Sequence, residues 1–181
     1  MARTPLIELA SSKVQLLAVL LALFLPNMMV GTATAAAPPK SIAVLPFEIE
    51  DNSGEVGPAD RHTVMLEKLT EGVESELSAA KLYAVVPGDA VSQAVAAQNS
   101  GTFLRNCNGC ELDIAKRAGA DRVLIGWVFK MSTLIGTLHI EIKDVATGNS
   151  LYTRAFDFRG DNQRAWDRAS KFFVQDLGQA R

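Results

Sequence analysis

The residues best equipped for chemistry are Cys107 and Cys110, which bracket Asn108 and Gly109. They are the only cysteines in the chain, so no thiol is left over. The motif precedes a stretch with helical periodicity, and a helix N-terminus lowers the pKa of a nearby thiol. One reading is therefore a thiol–disulfide exchanger, with Cys107 as the more exposed attacking thiol on the helix N-terminal side. Two features weigh against it. The motif follows a helix and a loop rather than the first strand of a βαβ unit, and no proline after Pro87 can supply the cis-proline that thioredoxin-like enzymes set against the disulfide. The plainer reading is a structural disulfide, Cys107–Cys110, as expected of a close cysteine pair in an exported chain. Its ring is small, which limits the stabilisation to ~2 kcal/mol.

Other chemistry finds little support. A structural zinc site needs four N or S ligands. Beyond the two cysteines there are only His62 and His139, with nothing in the sequence to bring them to the pair. Haem attachment calls for His after the second cysteine, where Glu111 stands. Asp51, Asn52 and Glu55 surround a glycine without EF-hand spacing and read as a solvated loop. No Ser/His/Asp arrangement or phosphate loop appears. The sequence thus predicts no catalytic residue, no metal and no cofactor. Trp127 and Trp166 both read as core residues. The polar register Thr137, His139, Glu141 and Lys143 is the surface of interest if helices leave it bare.

The start of the chain sets the compartment. Arg3 and Lys13 outnumber Glu8, an uncharged run from Leu16 to Leu25 follows, and Gly31 to Ala37 holds only small residues and threonine. This is the order of a cleaved secretory signal, predicted over residues 1–36. Its apolar core is far shorter than the roughly 20 residues of a membrane span. Taking 36 residues from 181 leaves 145, the size of one domain with one core. The full chain has net charge −2; its first 36 residues carry +1, so the remainder carries −3. Such mild acidity argues against nucleic acid and anionic membrane surfaces.

The elements that must position these residues are legible from periodicity. Ser41 to Phe47 reads as a buried strand with Pro46 at its end, and Asp51 to Pro58 as a loop. Val64, Leu66, Leu69, Val73 and Leu77 predict an amphipathic helix from Asp60 to about Ala80. Leu82 to Val86 is a second strand, and Asp89 a candidate N-cap of a short helix. A third helix after the cysteines carries Leu112, Ile114, Ala115 and Ala118 and ends at Gly119. Arg122 to Phe129, the alternating stretch around Leu138 to Ile142, and Leu151 to Phe158 predict an antiparallel meander. Trp166, Ala169, Phe173 and Leu177 mark a closing helix. The expected fold is α/β, three-layered. Its mixed five-stranded sheet has the order 2-1-3-4-5, strands 3–5 forming the meander, with helices on both faces.

Ser41-Ile42-Ala43-Val44-Leu45-Pro46-Phe47, Gly119-Ala120-Asp121 leading to Gly126 and Val128, and Asp144-Val145-Ala146-Thr147-Gly148 resemble, in that order, the TolB amino-terminal-like and CsgG-like envelope domain superfamily. The resemblance spans Ser41 to Asp176, so residues 37–181 read as one such domain. It implies an interaction module of the bacterial envelope without a catalytic signature. The chain lacks the β-propeller of TolB and the lipidated cysteine and pore hairpins of CsgG, so pore formation is not carried over. The sequence therefore predicts a periplasmic, non-enzymatic accessory domain with an envelope protein as partner. It predicts no stable membrane insertion after cleavage and leaves the oligomeric state open. The alternative is a periplasmic thiol–disulfide protein using Cys107 and Cys110. Mature protein from a periplasmic fraction is expected to begin at Ala36 or Ala37 by N-terminal sequencing; full-length chain confined to the cytosol would overturn the export reading.

Overall fold

The structure, a computed structural model, describes residues 39–55, 59–98 and 103–180. These belong to one compact unit, Pro38–Arg181, and the expected signal at 1–36 lies outside the described residues. The strands are β1 (Ser41–Val44), β2 (Glu48–Asp51), β3 (Ala84–Val85), β4 (Arg122–Lys130), β5 (Ile135–Asp144) and β6 (Ser150–Arg159). The helices are α1 (Ala59–Ala79), α2 (Gly88–Ala96), α3 (Cys110–Arg117) and α4 (Gln163–Gln179), with a 3-10 turn at Leu104–Asn106. The sheet runs β3-β1-β4-β5-β6, and β2 also pairs with β4. The expected strand order and meander are therefore present. β1 pairs parallel with β3 and β4, and β4-β5-β6 pair antiparallel.

The strand missed in the sequence is β2. Pro46 has no N–H to give the ladder and ends β1's run, and the Phe47 N–H goes instead to Thr70 Oγ1 at 3.1 Å. The chain then rejoins β4 one step further along, Glu48 opposite Trp127 and Glu50 opposite Phe129. Two glutamates in four residues masked the strand, because their charges are matched only by a distant arginine.

Alternation along β4 sorts the core into two layers. Leu124 and Val128 face α1 and α4, packing with Ile42, Val44, Leu69, Ile140 and Phe173. Val123 and Ile125 face α2 and α3, packing with Ala43, Leu45, Val91 and Ile114. The buried stripe of α1 begins at Met65 and runs through Leu69, Val73 and Leu77, whereas Val64 points outward. Asp89 lies in the first turn of α2 rather than capping it; Pro87 precedes the helix, and its carbonyl takes the first N–H groups.

The residues that carry the family resemblance do structural work. Gly119 (φ +75°) ends α3 in a Schellman pattern, with Ala120 N–H on Ala115 O and Gly119 N–H on Lys116 O. Asp121 accepts from the N–H and hydroxyl of Ser41 at 3.1 and 3.0 Å, which holds its carboxyl below the usual range and ties β1 to β4. In the β5–β6 turn, Asp144 Oδ1 accepts from Thr147 N–H at 2.9 Å and Gly148 takes φ +73°. Gly126 is required for a different reason: any Cβ there would lie inside the Phe47 ring.

Two substitutions test this layering. Leu124→Ala, at a fully buried position, is expected to cost about 2–5 kcal/mol. Gly126→Ala, which must displace Phe47, is expected to cost ~1–3 kcal/mol despite adding only a methyl group. Urea denaturation reads both; a neutral Gly126→Ala would show that the Phe47 ring has other room.

Candidate functional site: the disulfide turn and the uncovered sheet face

Cys107 and Cys110 form a disulfide with a Cα–Cα distance of 5.5 Å. The turn between them places Asn108 (φ +58°) and Gly109 (φ +109°) in the left-handed region, which glycine adopts freely and asparagine tolerates. Cys110 is the first residue of α3 and is buried, while Cys107 is half-buried. The more exposed sulfur is thus Cys107, as expected. The sulfur on the helix N-terminus is Cys110, against expectation.

In the sequence Glu111 stands out only as the residue where haem attachment would need a histidine. In the structure it is buried against the disulfide, with Oε2 at 3.0 Å from the Gly109 N–H and 3.5 Å from Cys107 Sγ. Its other oxygen, Oε1, takes a 2.9 Å hydrogen bond from Lys143 Nζ. Burial alone would lower the Lys143 pKa, but the hydrogen bonds and charges of Glu111 and Glu141 together outweigh it and lift the amine above the ordinary lysine range. A carboxylate beside the sulfur opposes formation of a thiolate there. This arrangement favours a disulfide that holds over one that exchanges. The available signal was the charge pattern: a glutamate adjoining the second cysteine and a lysine on the polar register of β5.

The 3-10 turn before the disulfide is clamped onto β2. Glu48 accepts the Leu104 N–H at 2.5 Å and pairs with Arg105 at 3.1 Å; Glu50 takes the other arm of the guanidinium at 3.2 Å. Arg105 also lies over the Phe103 ring at 4.3 Å. These contacts border the outer face of the meander. There α2 and α3 cover only the β3-β1-β4 side, and α1 and α4 lie on the opposite layer. Rows of side chains cross the open strands, Glu48–Trp127–His139–Ala155 and Glu50–Phe129–Thr137–Asp157.

Trp127 is consequently not core. It is half-buried and stacked flat on His139, with ring centroids 4.7 Å apart. Position in an apolar strand concealed this, because among the described residues β4 is covered on its outer face only as far as Ile125. Trp166, by contrast, is core. Beyond the strands, Met131, Leu134 and Ile135 of the β4–β5 turn are exposed. Partial burial lowers the His139 pKa, and the nearby Asp157 and Glu50 carboxylates only partly offset it.

The remaining expected loop residues are employed elsewhere. Asp51 and Glu55 bind the buried Lys130 amine at 3.0 and 3.1 Å, and Asp161 binds it at 3.3 Å. Burial opposes ionisation of Asp51, but its bonds from Ser53 and Lys130 prevail and pull it down to about 2. His62 joins this cluster through Asp161 at 3.1 Å. Among the described residues no histidine joins the cysteines, and no helix is long and apolar enough to cross a membrane.

The chain belongs to the family described as "Protein of unknown function (DUF2380)", whose model matches residues 40–177. No curated protein sequence matches it. In fold it is similar to lipoprotein GNA1162 from Neisseria meningitidis, at 20% identity and TM-score 0.52, covering 77% of this chain and 96% of that one. It is also similar to LpoB from E. coli, at 18% identity and TM-score 0.50, covering 67% of this chain and 56% of that one. A third such structure is the hypothetical protein CT253 from Chlamydia trachomatis, at 11% identity and TM-score 0.50, covering 78% and 97%.

The Trp127–His139 stack has a pH signature. A histidine whose folded pKa is depressed contributes stability above its unfolded value of ~6.5, and that contribution is lost as pH falls through the folded value. Tryptophan fluorescence is therefore expected to change with a midpoint below ~6.5. His139→Gln should remove that transition; its persistence would assign it to another group.

Proposed function

We propose that this chain is a non-catalytic, exported accessory domain of the cell envelope that binds another protein through the bare outer face of the meander. The observation that carries the reading is the Trp127–His139 stack with Phe129 on sheet surface that, among the described residues, no helix covers. Tryptophan and other aromatics half-sunk among polar groups are what protein interfaces use as anchors. Met131, Leu134 and Ile135 extend the apolar surface at the turn, and Glu48, Glu50, Asp157 and Lys143 form a charged rim.

The finer placement, in the TolB amino-terminal-like and CsgG-like superfamily, rests on the order of the three sequence motifs. The fold shared with a lipoprotein and with LpoB supports an envelope setting. The predicted signal at 1–36, with 37–181 as the mature domain, supplies the route to the periplasm. Within this reading Cys107–Cys110 is a structural clip that holds the 3-10 turn and Arg105 at the border of the binding face.

The test compares two surfaces of the same protein. Trp127→Ser with Phe129→Ser is expected to abolish specific capture of a periplasmic partner, while paired changes on exposed α1 positions, Glu67→Ser and Glu71→Ser, leave it intact. Both variants must keep wild-type circular dichroism. Equal capture by the two would move the interface off this face.

A further inference from the structure

We propose that reduction converts the Cys107–Cys110 turn into a three-ligand site for a thiophilic divalent metal ion, with Glu111 as the third ligand. Cys107 Sγ, Cys110 Sγ and a Glu111 carboxylate oxygen all lie within 4.8 Å of one another, and among the described residues no other group of this kind comes together. A Cys-x-x-Cys turn entering a helix is the half-site from which zinc centres are built. Three protein ligands leave a fourth position for water, the arrangement of open zinc sites.

The carboxylate is already oriented for this task. Oε2 faces the sulfurs at 3.5 Å from Cys107, while Oε1 is held by Lys143 on the neighbouring strand. A ligating group whose outer atom is fixed by a charged partner is the pattern of a metal ligand with its supporting shell. The same geometry explains why a metal is preferred over exchange chemistry. A buried carboxylate next to two sulfurs disfavours free thiolates, and a divalent cation reverses that preference by neutralising all three groups together.

The chemistry balances. A dithiol reductant gives two electrons and two protons to the disulfide; the Cys107–Cys110 bond breaks, one S–S bond forms in the reductant, and two protein thiols result. Metal binding then releases both thiol protons to solvent, so affinity must rise with pH.

Co(II) is the probe, added to the full chain after reduction with a phosphine and its removal under anaerobic conditions. The expected result is saturable growth of thiolate-to-Co(II) charge-transfer bands and visible bands of a tetrahedral site, displaced by Zn(II). Oxidised protein and Cys107→Ser/Cys110→Ser should give neither. Lys143→Met, which frees Oε1, should weaken binding roughly 10–100-fold. Glu111→Gln should weaken it at least as much, with its fold checked by circular dichroism. Absence of thiolate bands in the reduced protein overturns the proposal, as does wild-type Co(II) affinity in a folded Glu111→Gln variant. Either failure leaves the protein-binding face untouched, because that reading needs only the oxidised clip.

Discussion

The architecture depends on the hydrogen-bonded ladders of β4. This strand holds β1 and then β2 along one edge and β5 along the other. Every other placement follows from its alternation. Leu124, Gly126, Val128 and Lys130 face one layer of helices, and Val123, Ile125, Trp127 and Phe129 face the other side. The first set is covered along its full length. Among the described residues the second is covered only at its start, because α2 and α3 are short and sit over β1. One strand therefore contributes both to the core and to the bare surface, and the change occurs between Ile125 and Trp127.

Two lysines show how the fold handles charge at the margins of this sheet. Lys130 closes the buried face of β4 with an amine that is almost wholly out of water. Burying an unpaired ammonium would be prohibitive, so Asp51 and Glu55, from the end of β2 and the loop after it, and Asp161, from the turn before α4, converge on it. Together their hydrogen bonds and charges raise its pKa even though burial pulls the other way. Lys143 performs a smaller version of the task near the disulfide, bridging α3 to β5 through Glu111.

The strands of the meander and the long helices were readable because their periodicity is uninterrupted and their cores are simple. The sheet order followed from the handedness of crossovers. What escaped was set by contacts distant in sequence. β2 has glutamates that become acceptable in a strand only when Arg105, more than fifty residues away, comes to meet them. Trp127 has core-like neighbours in sequence, and its exposure depends on how far α2 and α3 reach. Glu111 looked like the absence of a haem ligand, yet it is the group that sets the chemistry of the cysteine turn. Asp51 and Glu55 read as solvated because the lysine they bind lies at the far end of β4.

These differences point one way. The motifs that carry the family resemblance, Pro46-Phe47, Gly119-Ala120-Asp121, Gly126 and Asp144 to Gly148, end strands, cap a helix, admit a ring or form a turn. They specify a scaffold, and a scaffold signature is silent on what the scaffold is for. Trp127, Phe129 and the exposed tip at Met131, Leu134 and Ile135 lie outside those motifs. Among the described residues no helix lies over this part of the meander, and α4 packs on the opposite face. Within the described residues, a sheet half covered in this way leaves an apolar surface open, and that surface is where the proposed partner would sit.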